Sequence, residues 1–143
     1  MVPPDVWAEV SHLNARFAWG IDHYMPQLAA DQFIEGGRLI VPAAAAVDAD
    51  PLVYVGRDAI RARWEGRTAV SRHAFVNLML DEAGPSRLVG KVLLIGYRAD
   101  EPGGGDTVPA VVSDFEDDIV LDRDGRWRFA ERRATVIFAR REA

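Results

Sequence analysis

The sequence predicts an α+β domain in which N-terminal helices pack into the concave face of a curved antiparallel sheet. Three observations lead there. Apolar residues near the N-terminus recur at helical spacing, while the second half consists of long β-rich segments broken by turn chemistry. Helices also precede strands rather than alternating with them, an order that favours segregated layers over βαβ units.

The first helix starts at Pro4, with Asp5 or Pro3-Pro4 as its start signal, and Val6, Val10, Leu13, Phe17 and Ile21 lay one apolar stripe along about four turns. A second short helix is expected from Pro26, carrying Leu28, Ala29 and Phe33 inward and ending at Gly36-Gly37. Arg38 to Val41 and Pro51 to Val55 read as short strands. The alanine run between them suits helix by composition and an edge strand or loop by position. Arg57 to Glu65, with Ile60 and Trp64 four apart and Gly66 beyond, reads as a third helix. Four longer strands follow over His73–Asp81, Arg87–Tyr97, Val108–Leu121 and Arg126–Ala139. They are separated by Gly84-Pro85, Gly103-Gly104-Gly105 and Asp122-Arg123-Asp124-Gly125. Three successive hairpins imply a meander. No repeat or linker interrupts residues 1–143, which are read as one domain.

The 143 residues, 49% of them hydrophobic, suffice for one core. The longest apolar stretches fall far short of the roughly 20 residues that span a bilayer. The first ten residues have neither a basic nor an apolar signal region, so a cytoplasmic protein is expected. With no cysteine there are no disulfides, thiol nucleophiles or cysteine-bearing zinc sites. A formal net charge of -5 argues against a nucleic-acid surface. Arg126, Arg128, Arg132, Arg133, Arg140 and Arg141 make the last strand locally basic, which is read as a solvated face.

A sheet curling around a helix leaves a cavity at its open end, suited to a small, largely apolar molecule. Along His73–Asp81, a period of two places His73, Phe75, Asn77 and Met79 on one face and Ala74, Val76, Leu78 and Leu80 on the other. The mixed face fits either a ligand wall or a half-solvated exterior. Asp22 follows the stripe residue Ile21 and sits at the edge of the apolar face. It could orient His73, act as a base, or be a solvated aspartate near a helix end. His23 suits a pocket imidazole or a cation at the helix terminus, and His12 falls on the exposed side. Tyr24 and Tyr54 could donate hydroxyls to a substrate. Trp19 and Trp64 belong to a residue type that more often fills a core, and Trp64 and Phe75 are carried as apolar candidates for the cavity wall. Ser113 and Asp114 cannot both face inward. Histidines at 12, 23 and 73 lack metal-site spacing, and the glycine run precedes a strand rather than a helix, so neither a metal nor a nucleotide cofactor is expected.

Taken in order, Arg16–Asp22, Leu28–Phe33, Tyr54–Ile60, His73–Asn77 and Gly125–Phe129 with Arg132-Arg133 resemble the SnoaL-like branch of the nuclear-transport-factor-like superfamily. The resemblance implies a cystatin-like α+β cone and relatives such as polyketide cyclases, scytalone dehydratase and ketosteroid isomerase. It puts the aspartate late in the first helix at Asp22 and the histidine opening the first long strand at His73. The departures are Ile21, where scytalone dehydratase has a tyrosine, and the lack of a second histidine later in the sheet. The implied activity is a lyase or isomerase needing no cofactor, with His73 as acid or base, Asp22 orienting it, and Asn77 and Tyr24 positioning an oxygen. The alternative is a binding module or an accessory subunit of a ring-hydroxylating oxygenase. A homodimer is expected, with a trimer as second choice.

Overall fold

The computed structural model describes residues 1–105 and 107–140. Helix α1 covers Pro4–Asp22 and buries Val10, Leu13, Phe17 and Ile21 of the predicted stripe, with Val6 half-buried at its start. Helix α2 is short, Pro26–Ala30, and crosses α1 at Gly20, where an added Cβ would lie 2.7 Å from the Ala29 amide nitrogen. Strands β1 (Phe33–Pro42) and β2 (Pro51–Val55) follow, then α3 (Arg57–Ala62). Four long strands complete the chain: β3 (Val70–Gly84), β4 (Arg87–Ala99), β5 (Val111–Leu121) and β6 (Trp127–Ala139).

The strands form one sheet of order β2-β1-β6-β5-β4-β3. Neighbours are antiparallel except β1 and β6, which run parallel. Helix α1 packs against β3 and β6, so its stripe meets Leu88, Val92, Phe115, Ile119 and Phe129 from the sheet in a single core. The predicted α+β class with segregated layers is what the chain adopts.

Several local expectations are corrected. The second helix ends at Ala30, and Phe33 opens β1 instead of closing a helix. Gly36, at φ 76°, and Gly37 make an irregularity inside that strand, where the β1–β6 register shifts between Phe33 and Arg38. The third helix stops at Ala62 rather than Glu65, and Val108 precedes β5. Ala43–Ala46 form bends in the loop that joins β1 to β2, because Pro42 pairs with Pro51 and the chain turns back between them.

The basic face predicted for the last strand is overturned for Arg128 and Arg132, which are 9% and 0% exposed. Arg132 shares the inward phase of β6 with Ala134 and Val136 and stands opposite Asp117 on β5. Its Nε and Nη2 donate to the two Asp117 carboxylate oxygens at 2.8 and 2.9 Å, and Nη2 also donates to Asn14 Oδ1. The guanidinium carbon lies 4.0 Å from the Phe129 ring centroid and 4.7 to 4.8 Å from those of Phe17, Phe75 and Phe115. Burial pushes the Asp117 carboxyl above its ordinary value, against the pull of the Arg132 charge and hydrogen bonds. Arg128 clips the β5–β6 turn by bonding Asp122 and Asp124. Arg141 lies outside the described residues.

Candidate active site

Helix α1 ends by a hydrogen bond from the Met25 amide to the Gly20 carbonyl, with Tyr24 left-handed at φ 58°. That conformation is uncommon for a tyrosine. The Tyr24 hydroxyl donates to the Ala69 carbonyl at 3.1 Å, tying the helix end to the segment entering β3. Asp22 is thereby held against the first residues of that strand.

Three donors converge on the Asp22 carboxylate. Ser71 Oγ donates to Oδ1 at 2.8 Å, the His73 amide to Oδ2 at 2.9 Å, and His73 Nδ1 to Oδ1 at 2.5 Å. Asp22 is only 7% exposed. Burial alone would raise its carboxyl, but the hydrogen bonds from His73 and Ser71 and the imidazole charge prevail and hold it below the ordinary carboxylate value. An ionised carboxylate only accepts, so Nδ1 carries a proton, and the tautomer this selects for the neutral ring has its lone pair on Nε2. Nε2 has no hydrogen-bond partner among the described residues.

His73 borders a cavity of about 410 Å³. Its apolar walls come from Phe17 and Ile21 of α1, Leu94 of β4, Phe115 of β5 and Val136 of β6, with Trp64 closing one side. Gly96, opposite His73 across the β3–β4 ladder, keeps space beside the ring: a Cβ there would lie 2.9 Å from Val111 Cγ1 and 4.0 Å from His73 Cδ2. On the other side of His73 a second groove runs between α1 and β3, lined by Asp22, Trp19, His23 and Arg72 among others. The imidazole therefore separates two spaces, and Asp22 reaches only the outer one. The inner space combines apolar walls with polar groups, the setting of a small organic ligand.

The other sequence candidates are placed as follows. Trp64 lines the inner cavity, and Phe75 lies behind its wall, packed on Phe17 and Phe115 with centroids 6.0 and 5.2 Å apart. Tyr54 stands under the Arg63 guanidinium at 5.7 Å and takes no part in the cavity wall. Tyr24 is a strut, not a substrate donor. Asn77 is corrected most clearly. It adopts φ 61° in a β-bulge, where three steps along β3 from Val76 to Met79 match two along β4 from Leu93 to Lys91. The bulge reverses the facing, so Leu78 and Leu80 join the core while Asn77 and Met79 are exposed. Asn77 thus leaves the site. His23 stacks on Trp19 at 3.7 Å and bonds its carbonyl, and His12 is exposed.

Of the Ser113 and Asp114 pair, Ser113 faces the cavity and is buried. Sequence reasoning missed Tyr97, Arg63, Arg67 and Arg98, which also line it. The strand phase could have found Ser113, opposite Leu94, and Arg98, in phase with Gly96 and so with His73, whereas Tyr97 lies out of phase and nothing local marks Arg63 and Arg67. Among the described residues no group of three His, Cys, Asp or Glu side chains is arranged to hold a metal, and no helix is long and apolar enough to cross a membrane.

Residues 6–133 match the family described as the SnoaL-like domain. Among proteins of curated function, none matches the sequence. Solved structures do resemble the chain. A Catenulispora acidiphila protein in complex with S-DNPA is 24% identical, aligned over 94% of this chain and 95% of that one with a TM-score of 0.75. A Novosphingobium aromaticivorans protein provisionally called a scytalone dehydratase is 16% identical over 96% and 87%, with a TM-score of 0.77. A Nostoc punctiforme protein of unknown function with a cystatin-like fold is 16% identical over 94% and 93%, with a TM-score of 0.75. Identities this low establish a shared fold and nothing finer.

Proposed function

Because the chain belongs to the SnoaL-like family, we propose that it is a lyase or isomerase needing no cofactor, acting by proton transfer on a small, largely apolar cyclic molecule. One observation carries the reading: an Asp22-oriented His73 presents an unpartnered Nε2 beside an apolar cavity. On a β-hydroxy ketone, Nε2 takes the proton from the carbon next to the carbonyl, and the C–H electron pair moves onto the carbonyl oxygen as an enolate. Collapse of the enolate forms the C=C bond and expels the hydroxyl, which leaves as water with the proton returned by the imidazolium. Asp22 stabilises that imidazolium while remaining ionised. The complex of the Catenulispora acidiphila relative with S-DNPA supports a ligand-binding use of the same fold.

The test is proton exchange. Cyclic ketones incubated with the protein in D₂O should exchange their α-protons, followed by NMR, and His73→Ala should lower the rate by about 10² to 10⁴. Exchange no faster than that of the variant, with the ketone demonstrably bound, would leave a binding module as the function.

We also propose a homodimer formed through the outer sheet face, where Val76, Met79 and Val89 on adjacent β3 and β4 are 36%, 60% and 40% exposed. Light scattering at micromolar concentration should give twice the chain mass, and a monomer mass rejects the pairing.

A further inference from the structure

Several arginines of the fold meet carboxylates, Arg38 with Glu131, Arg57 with Asp122, Arg87 with Asp118 and Arg132 with Asp117, while others such as Arg72 bond only backbone. Three lie at the cavity. Arg63, Arg67 and Arg98 all line it, and among the described residues none forms an ion pair. Arg67 is half-buried, and its Nε is shielded from solvent without a hydrogen-bond partner. Burial and the charges of Arg98 and Arg63 hold its guanidinium below the ordinary value, with Asp22 opposing them. Asp22 does not line the cavity and makes its hydrogen bonds with Ser71 and His73, none with Arg67. Asp100 and Glu101 share an outer depression with Arg98 and make no ion pair with it.

Leaving three like charges around one space, in a chain carrying more acids than bases, is unfavourable unless something negative enters that space. The arrangement is also graded. Arg63 and Arg98 are exposed, Arg67 is intermediate, and Phe17, Leu94 and Phe115 are buried. The charged end is therefore the open one and the apolar end the closed one.

We propose that the cavity takes its ligand as an organic carboxylate, an aromatic or alicyclic ring acid whose apolar body lies on Phe17, Leu94 and Phe115 and whose carboxylate meets Arg67, flanked by Arg63 and Arg98. The planar guanidinium suits a carboxylate, since two parallel N–H donors match its two oxygens. Anchoring that end determines which ring atom comes to His73. The inference deepens the proposed function by naming the substrate class of the same site, but it concerns binding and does not require turnover.

The experiment compares two probes of nearly equal shape, 2-naphthoate and its neutral amide 2-naphthamide, by calorimetric titration. The anion should bind at least about tenfold more tightly, and the difference should shrink as salt is raised. Arg67→Met should bring the two affinities together, and Arg67→Lys should retain part of the preference. The double variant Arg63→Gln/Arg98→Gln changes exposed residues only and should cut the preference severalfold, which keeps the test usable if Arg67→Met does not fold. The preference is read from binding without turnover, so a failed proton-exchange experiment and a failed binding experiment are separate results. Equal affinities in the unaltered protein, a preference that survives loss of the arginine charges, or no anion binding below millimolar concentration overturns the proposal.

Discussion

Arg132 and Asp117 form a fully buried ion pair, with side chains 0% and 1% exposed, beneath the aromatic wall of the cavity. Arg132→Met would leave the Asp117 carboxylate, which burial already disfavours, without its partner. Asp117→Leu, close to the aspartate in branching, would strand a guanidinium among four phenylalanine rings. Breaking a buried pair from one side costs about 3 to 5 kcal/mol, because an uncompensated charge remains. Against a total stability of about 5 to 15 kcal/mol, either change alone is severe and should lower the melting temperature by roughly 10 °C or more. If the two costs were independent, the double variant would lose about 6 to 10 kcal/mol. It is expected instead to be no less stable than either single variant, since both stranded charges are gone and apolar groups fill the space. Urea unfolding followed by tryptophan fluorescence gives all four stabilities, with constant m-values as the check on a common unfolded state. Single variants costing less than about 1 kcal/mol, or a double variant equal to the sum, would refute the argument that desolvated charge dominates here.

Other outcomes follow from single contacts. Asp22 is held below its ordinary value of 3.8, so its contribution to stability is present above that pH and is lost as pH falls through the lower folded-state value. Asp22→Asn should therefore flatten the acid limb of the stability curve below about pH 4 in urea unfolding, and an unchanged limb contradicts the assignment. Asn77→Gly should be tolerated at φ 61°, whereas Asn77→Val should cost about 1 to 2 kcal/mol, measured by the same unfolding assay. Gly20→Ala would drive a methyl to 2.7 Å from a backbone nitrogen of α2 and should destabilise by about 1 to 3 kcal/mol; a neutral change would mean that α2 shifts freely. Gly96→Ala would set a methyl 2.9 Å from Val111 Cγ1 in the cavity wall and should weaken 2-naphthoate binding in calorimetric titration; an unchanged affinity would mean that Val111 moves aside.

Local periodicity made much of the molecule legible. The stripe from Val10 to Ile21 becomes the buried face of α1, and the turn residues separating the last strands mark real hairpins, because spacing and turn chemistry are short-range properties. The same reasoning placed Asp22 at the edge of the stripe and His73 near the start of a strand, and the structure brings those two side chains into contact. Asn77 shows where periodicity stops: one extra residue in β3 reverses its facing, and that bulge depends on the β4 strand opposite. Phe33 opens a strand because β6 is available to pair with it in parallel, a partner nearly a hundred residues away. Arg132 reads as one more solvated arginine until the sheet brings Asp117 beside it and α1 supplies Asn14. The arginines around the cavity are likewise scattered along the chain and acquire meaning only by convergence. Sequence alone determined most of the helix and strand segments and the apolar face of α1, since those follow from neighbours a few residues apart. Which charges are buried, which are paired and which surround an open space were decided by tertiary structure, because the Coulomb and desolvation energies involved depend on distances between residues far apart in the chain.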